Sequence, residues 1–259
     1  MLKNTIAALA LLSLFACGRG EEADSAEDAD ESAVVTSSES ALTSELSDEV
    51  AQPMSATAPD LATAASTRVA SRVQPASCLT TTTTGATVTY VFNNCTGPYG
   101  MVNVTGTVTA VYSRASTGGV QVVLTGTGVK VNAAVIDLNS TVKASQANGV
   151  KTADIVTDTS GTGPRGNSFT RNGTYTVTYD STAECVTVAG TWTTKVGVRT
   201  SSTVVAGYRR CKGTCPAAGG TITNTTGRTV VTLSYDGLGS ASWATSGGRT
   251  GSVTLQCSK

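Results

Sequence analysis

Histidine is absent from the chain. That removes the general base of Ser-His-Asp and Cys-His hydrolysis. Carboxylates are the acid–base groups that remain, and from residue 78 onward there are six: Asp137, Asp154, Asp158, Asp180, Glu184 and Asp236. Glycosidic cleavage needs two of them facing each other across a cleft. Asp180 and Glu184 are the closest candidates, but Asp180 and Asp236 each follow a tyrosine at the end of an alternating run, where aspartate commonly builds a turn. No Asp-x-Asp-x-Asp-Gly calcium loop and no glycine-rich phosphate loop with its lysine occurs. Cys211-Lys-Gly-Thr-Cys215 has a ligand-like spacing, yet it has no second such pair and no histidine to complete a zinc site. The expectation is a protein with no catalytic constellation, no metal and no cofactor. The densest cationic cluster is Tyr208-Arg209-Arg210-Cys211-Lys212. Guanidinium and ammonium groups beside an aromatic ring could hold a phosphate or an acidic sugar.

Cys17 carries a different chemistry. Ahead of it stand Lys3 in a short basic start, an apolar run from Ile6 to Phe15, and Leu14-Phe15-Ala16. The apolar run is about ten residues, too short to cross a bilayer of roughly 30 Å as a helix but suited to the core of a secretion signal. Leu14-Phe15-Ala16-Cys17 resembles the lipobox of bacterial lipoproteins. The resemblance implies that the thiol of Cys17 takes a diacylglyceryl group, that residues 1–16 are removed as a signal peptide, and that the new amine is acylated. Two or more acyl chains make a stable membrane anchor, because each buried methylene adds about 0.8 kcal/mol. Gly18 stands where an aspartate would resemble an inner-membrane retention signal, and the acidic run beyond it is similar to surface-export signals of some bacterial lipoproteins. The implied location is the outer membrane, including its outer face.

The mature chain divides into two unlike parts. From Gly18 to Ser77 twelve acids stand against Arg19, Arg68 and Arg72, a balance of −9. From Cys78 onward six acids stand against fourteen lysines and arginines, a balance of +8. Residues 17–77 therefore read as the lipidated cysteine followed by an acidic, disordered tether that like-charge repulsion extends. Leu61 to Arg72 is a short helix candidate within it. Residues 78–259, about 180 in number, are ample for one buried core. The acidic arm on a basic domain points to polyanions as partners, and the arm could compete for the same face.

Beyond Thr84 the pattern has period two. Val102, Val104, Gly106, Val108, Ala110 and Tyr112 alternate with polar residues, and so do Tyr175, Val177 and Tyr179, Val186, Val188, Gly190 and Trp192, and Val231, Leu233 and Tyr235. Such alternation means one buried and one wet face per strand, and hence antiparallel pairing. Trp192 is in phase with the buried valines and reads as core, while Tyr99 in Gly97-Pro98-Tyr99-Gly100 is the aromatic expected to be exposed. Turn signals such as Asn148-Gly149 and Asp236-Gly237 separate the runs and give ten to twelve strands, mostly in hairpins. Gly106, Gly126 and Gly190 share one inward mid-strand position, where glycine marks a bend, a bulge or a close approach. The expected fold is an all-β, curved antiparallel meander, barrel or half-barrel-like, stapled by disulfides. Thr-x-Thr runs recur but at irregular spacing, and a curved sheet is a poor template for the flat threonine ladder of an ice-binding protein.

Without Cys17 six cysteines remain, an even number suited to an oxidising compartment. Six allow fifteen connectivities. Cys78 and Cys95 flank a first strand. A hairpin pairing Val186–Arg199 with Thr203–Arg210 brings Cys185 to Cys211, and a terminal meander brings Cys215 to Cys257. The expected role is non-enzymatic: surface binding, adhesion or envelope structure, with a basic face that includes Tyr208, Arg209, Arg210 and Lys212 meeting an anionic surface polysaccharide or an envelope protein. Nucleic acid is not the expected partner. The alternative is a periplasmic carrier whose concave apolar face holds an acyl chain or another hydrophobic ligand.

Overall fold

A computed structural model describes residues 56–97, 103–115, 119–255 and 257. Cys17, residues 18–55 of the tether and Tyr99 lie outside the described residues. The first element is a helix, α1, at Ala58–Arg72. Thr57 and Asp60 form a reciprocal capping box, and a proline occupies the first turn, where its missing N–H costs nothing. Its buried residues Leu61, Ala62, Ala65 and Val69 recur at helical spacing and lie against the first strands. Burying Leu61 and Val69 stabilises this docking by about 1.5–3 kcal/mol each. A helix inside the stretch read as tether is thus part of the folded body.

Thirteen strands follow: β1 Leu79–Thr84, β2 Thr87–Thr96, β3 Asn103–Arg114, β4 Val120–Val131, β5 Ala134–Ala147, β6 Val150–Thr162 and β7 Ser168–Asp180, then β8 Cys185–Val196, β9 Arg199–Cys211, β10 Thr221–Thr226, β11 Thr229–Tyr235, β12 Ser240–Thr245 and β13 Thr250–Thr254. They form one antiparallel sheet in the order β1 to β13, each strand paired with its sequence neighbours alone. The sheet is curved and not closed. The count exceeds the expected ten to twelve. The run Leu79–Thr84, five threonines after a leucine, forms β1 with no alternation in its sequence.

Alternation sends one set of side chains to the inner face. Val88 and Tyr90 of β2, Val122 and Leu124 of β4, and Ile136 and Val142 of β5 are fully buried there. Two apolar clusters result: one from α1 and the first strands, the other around Trp192, Tyr208, Ile222, Leu233 and Tyr235. The outer face is set by the same register. Thr84, Thr87, Val111, Val123, Thr141, Val156, Thr174, Thr191, Val204, Thr223, Thr232, Ala244 and Thr250 are successive partners across all thirteen strands. The pairing produces a ladder of small and β-branched residues that the uneven spacing in sequence does not disclose, and the curvature keeps it from being flat.

The flagged glycines lie where the ladder slips. Register shifts occur between Thr105 and Thr109, between Gly126 and Val129, and between Val188 and Gly190. A bulge adds local twist and bends its strand, so these sites curve the sheet. Three disulfides join Cys78–Cys95, Cys185–Cys211 and Cys215–Cys257. Cys185 and Cys211 sit directly opposite each other at one end of the β8–β9 hairpin.

Candidate functional site

In an unbroken meander, successive turns fall at alternate ends of the sheet. One end carries the turns after β1, β3, β5, β7, β9 and β11, and the other carries those after β2, β4, β6, β8, β10 and β12. The charges divide unequally between these ends.

The first end is mixed and internally paired. Asp180 Oδ1 accepts from the N–H groups of Thr182 and Ala183 at 2.9 and 3.0 Å. Those two bonds, with the Arg209 charge nearby, hold its carboxyl below the ordinary range. Glu184 receives two contacts from Lys212 Nζ, at 2.8 and 3.1 Å, which raise the lysine pKa. Asp236 Oδ1 accepts from Leu238 N and Ser240 N at 2.8 and 3.1 Å, and its carboxylate also takes the Ser240 hydroxyl. The Ser240 hydroxyl and then these N–H groups bring it down to about 2. All three carboxylates are committed to turns or an ion pair, and Asp180 and Glu184 do not face each other across a cleft.

The cluster Tyr208, Arg209, Arg210 and Lys212 also lies at this end, and the structure does not bring it onto one face. Tyr208 is buried on the inner face, edge-on to Tyr235 with ring centroids 5.5 Å apart. Burial raises its pKa, partly offset by the charge of Arg210 and a hydrogen bond from it. Arg210 shares the inner side and donates Nε to the Thr214 carbonyl at 3.1 Å. Arg209 alternates to the outer side, with Nη2 3.4 Å from Cys185 Sγ. Lys212 is in the following turn with Glu184. Strand alternation separates what sequence adjacency groups. Cys211 and Cys215 enter different disulfides.

The opposite end is different. The turn after β6 carries Arg165, the hairpin of β8 and β9 carries Lys195 and Arg199, the turn after β10 carries Arg228, and the turn after β12 carries Arg249. Register holds these hairpins side by side: Thr162 pairs with Ser168, Phe169 with Val196, Val196 with Arg199, Ser201 with Thr226, and Thr226 with Thr229. Strands are about 4.8 Å apart, so hairpins at one end recur every ~9.5 Å, and these four span about 29 Å. Arg165, Lys195, Arg228 and Arg249 are exposed and Arg199 is half-buried. No Asp or Glu occurs between residues 159 and 179, between 185 and 235, or after Asp236, and the exposed Asp137 of β5 and Asp158 of β6 stand three and four residues in from this end. The result is an edge with one or two cations per hairpin and no carboxylate among them. It can bind an extended polyanion by Coulomb attraction and by guanidinium–carboxylate or guanidinium–phosphate hydrogen bonds.

Sequence reasoning missed this edge, although a signal was present: Arg165, Arg228 and Arg249 each adjoin a glycine, in the turns after β6, β10 and β12. It also missed Arg171, 1 % exposed on the inner face with its guanidinium carbon 4.9 Å from the Trp192 ring centroid. Arg171 is in phase with the inward Tyr175, which marks it as buried. Around it lies a seam of buried hydroxyls. Ser140 Oγ donates to Thr157 Oγ1 at 3.1 Å, and Thr157 and Thr159 share a hydrogen bond of 3.0 Å. Thr159 and Thr194 flank Arg171 on the adjacent strands. Trp192 is buried, as its phase requires.

Comparison with protein-family models, with curated proteins and with solved structures gives no match.

Proposed function

We propose that this chain is an exported lipoprotein, held to the outer membrane by acyl chains on Cys17, that acts without catalysis by binding an extended anionic polymer of the cell surface, an acidic polysaccharide. The observation that carries the binding part is the row of cations at Arg165, Lys195, Arg199, Arg228 and Arg249, one or two per hairpin with no carboxylate interposed. Its linear form suits a chain-like ligand better than a compact one. The lipobox-like segment and the even set of paired cysteines support export. An acyl-chain carrier is the weaker reading. Val122, Leu124, Val129, Ile136 and Val142 of the inner face are already buried by the protein's own side chains.

The test is binding to a polyuronate as a function of salt, for the parent and for a variant with Lys195→Gln, Arg228→Gln and Arg249→Gln. At about 0.7 counterions per contact, as for a flexible single strand, five contacts give a log–log salt slope near −3.5, and removing three brings it to about −1.4. Equal slopes for the two proteins, or no binding by the parent at low salt, would remove the proposal.

A further inference from the structure

We infer that the cationic hairpin edge also takes a segment of its own chain, the acidic stretch Glu21–Glu31, which screens it from external polyanions. This rests on the same edge as the proposed function and adds its regulation. Seven of those eleven residues are acidic. The edge offers five cations over about 29 Å. The two charge runs are opposite in sign and similar in length, and they belong to one molecule.

Reach decides which part of the arm can dock. Arg114, at the end of β3, donates Nη2 to the Ala56 carbonyl. The arm therefore joins the fold at the end of the sheet opposite the cations. Strands of about twelve residues separate the two ends by roughly 40 Å, and passing from β3 to β9 adds about 29 Å sideways before curvature shortens it. Glu31 is 25 residues from Ala56 and can reach up to about 85 Å. Asp48 and Glu49, seven or eight residues away, reach about 27 Å at most and fall short. Reach thus excludes Asp48 and Glu49, which serve as an internal control for the distal acids.

A docked arm raises the apparent dissociation constant of an external polyanion, because the tethered segment competes at an effective concentration set by its linker, of millimolar order. Salt should weaken both contacts, since exposed charges are screened over about 10 Å at 0.1 M.

Two measurements on the detergent-solubilised full chain test this. The first is zero-length carbodiimide cross-linking read by mass spectrometry in the monomer fraction. The expected products join Lys195 to carboxylates of Glu21–Glu31, omit Asp48 and Glu49, and vanish at high salt. The second is polyuronate titration of the parent against a variant in which the seven carboxylates of Glu21–Glu31 become amides. The expected gain is about 5–10-fold in affinity at low salt, fading at high salt. Absence of the Lys195 links at low salt, or links distributed over all arm acids regardless of salt, overturns the inference. If neither protein binds polyuronate but the links form, the arm contact stands and the external ligand class is wrong. If both bind equally and no link forms, the arm contact alone is wrong.

Discussion

Replacing Gly173 by alanine should destabilise the sheet where it pairs β7 with β8. Gly173 lies across from Trp192, and Gly190 lies across from Tyr175, so each glycine is capped by its neighbour's ring-bearing residue. A Cβ built on Gly173 would sit 2.4 Å from Trp192 Cβ and 2.7 Å from the Thr191 carbonyl oxygen, whereas ordinary contact begins at 3.4 Å. The strands would have to part by about 1 Å, and the obstructing atoms include backbone that cannot rotate away. Overpacking of this kind costs about 1–3 kcal/mol, and the entropic advantage of alanine over glycine returns up to ~1. The net expectation is a loss of about 1–2 kcal/mol, a fall of roughly 2–8 °C in Tm for a domain of this size. Urea unfolding followed by tryptophan fluorescence measures it, with a lower midpoint and an unchanged m-value. Gly85→Ala is the control. Nothing lies within 4 Å of its Cβ position, so only the positive φ of +56° is penalised, at ~1 kcal/mol. A Gly173→Ala protein as stable as the parent, or less affected than Gly85→Ala, would refute the claim that these glycines exist for close approach.

Three further outcomes are expected. Removing the Cys215–Cys257 bond, which closes a separation of 42 residues, with paired serines should cost about 4 kcal/mol by loop entropy, read as a shift in denaturant midpoint. Thr57→Ala breaks the capping box and should weaken α1 by about 1 kcal/mol, seen as faster hydrogen exchange in 58–72 with the strand amides unchanged. The Tyr235 hydroxyl is buried without a hydrogen-bond partner, and burial pushes its pKa up to about 12. A folded pKa raised above the unfolded value of about 10 contributes stability below pH ~10 that is lost as pH rises toward 12. Tyr235→Phe should be no less stable than the parent at neutral pH and should lose less stability across that alkaline window in thermal melts. A steeper alkaline loss in the variant would contradict this.

The fold was legible because nearly every strand is half-wet, so its inward positions, such as Val108, Ala110 and Tyr112, write the period into the sequence. The disulfide pairs followed from hairpin proximity, since Cys185 and Cys211 terminate two strands that a single short turn joins. Strand β1 was not legible, because five threonines in a row have no phase. The slips at Gly106, Gly126 and Gly190 could be suspected from glycine alone, but their effect on register depends on partners that sequence does not name. The candidate site was harder still. Tyr208, Arg209, Arg210 and Lys212 stand together in sequence and are separated by alternation and by Glu184. Arg165, Arg199, Arg228 and Arg249 are about twenty to thirty-five residues apart, and pairing of successive hairpins sets them in line.

The positions of two disulfides have a mechanical consequence. A meander in which each strand holds only its neighbours peels like a zipper when pulled by its ends, one edge strand at a time and at low force. Here both edges are clasped. Cys78–Cys95 fastens the start of β1 to β2, and Cys215–Cys257 ties the chain beyond β13 to the loop before β10. Tension applied through the ends therefore bypasses the outermost strands and loads the interior of the sheet, where many cross-strand bonds share it. Single-molecule stretching should show a higher rupture force and a shorter released length for the oxidised chain than for the reduced one.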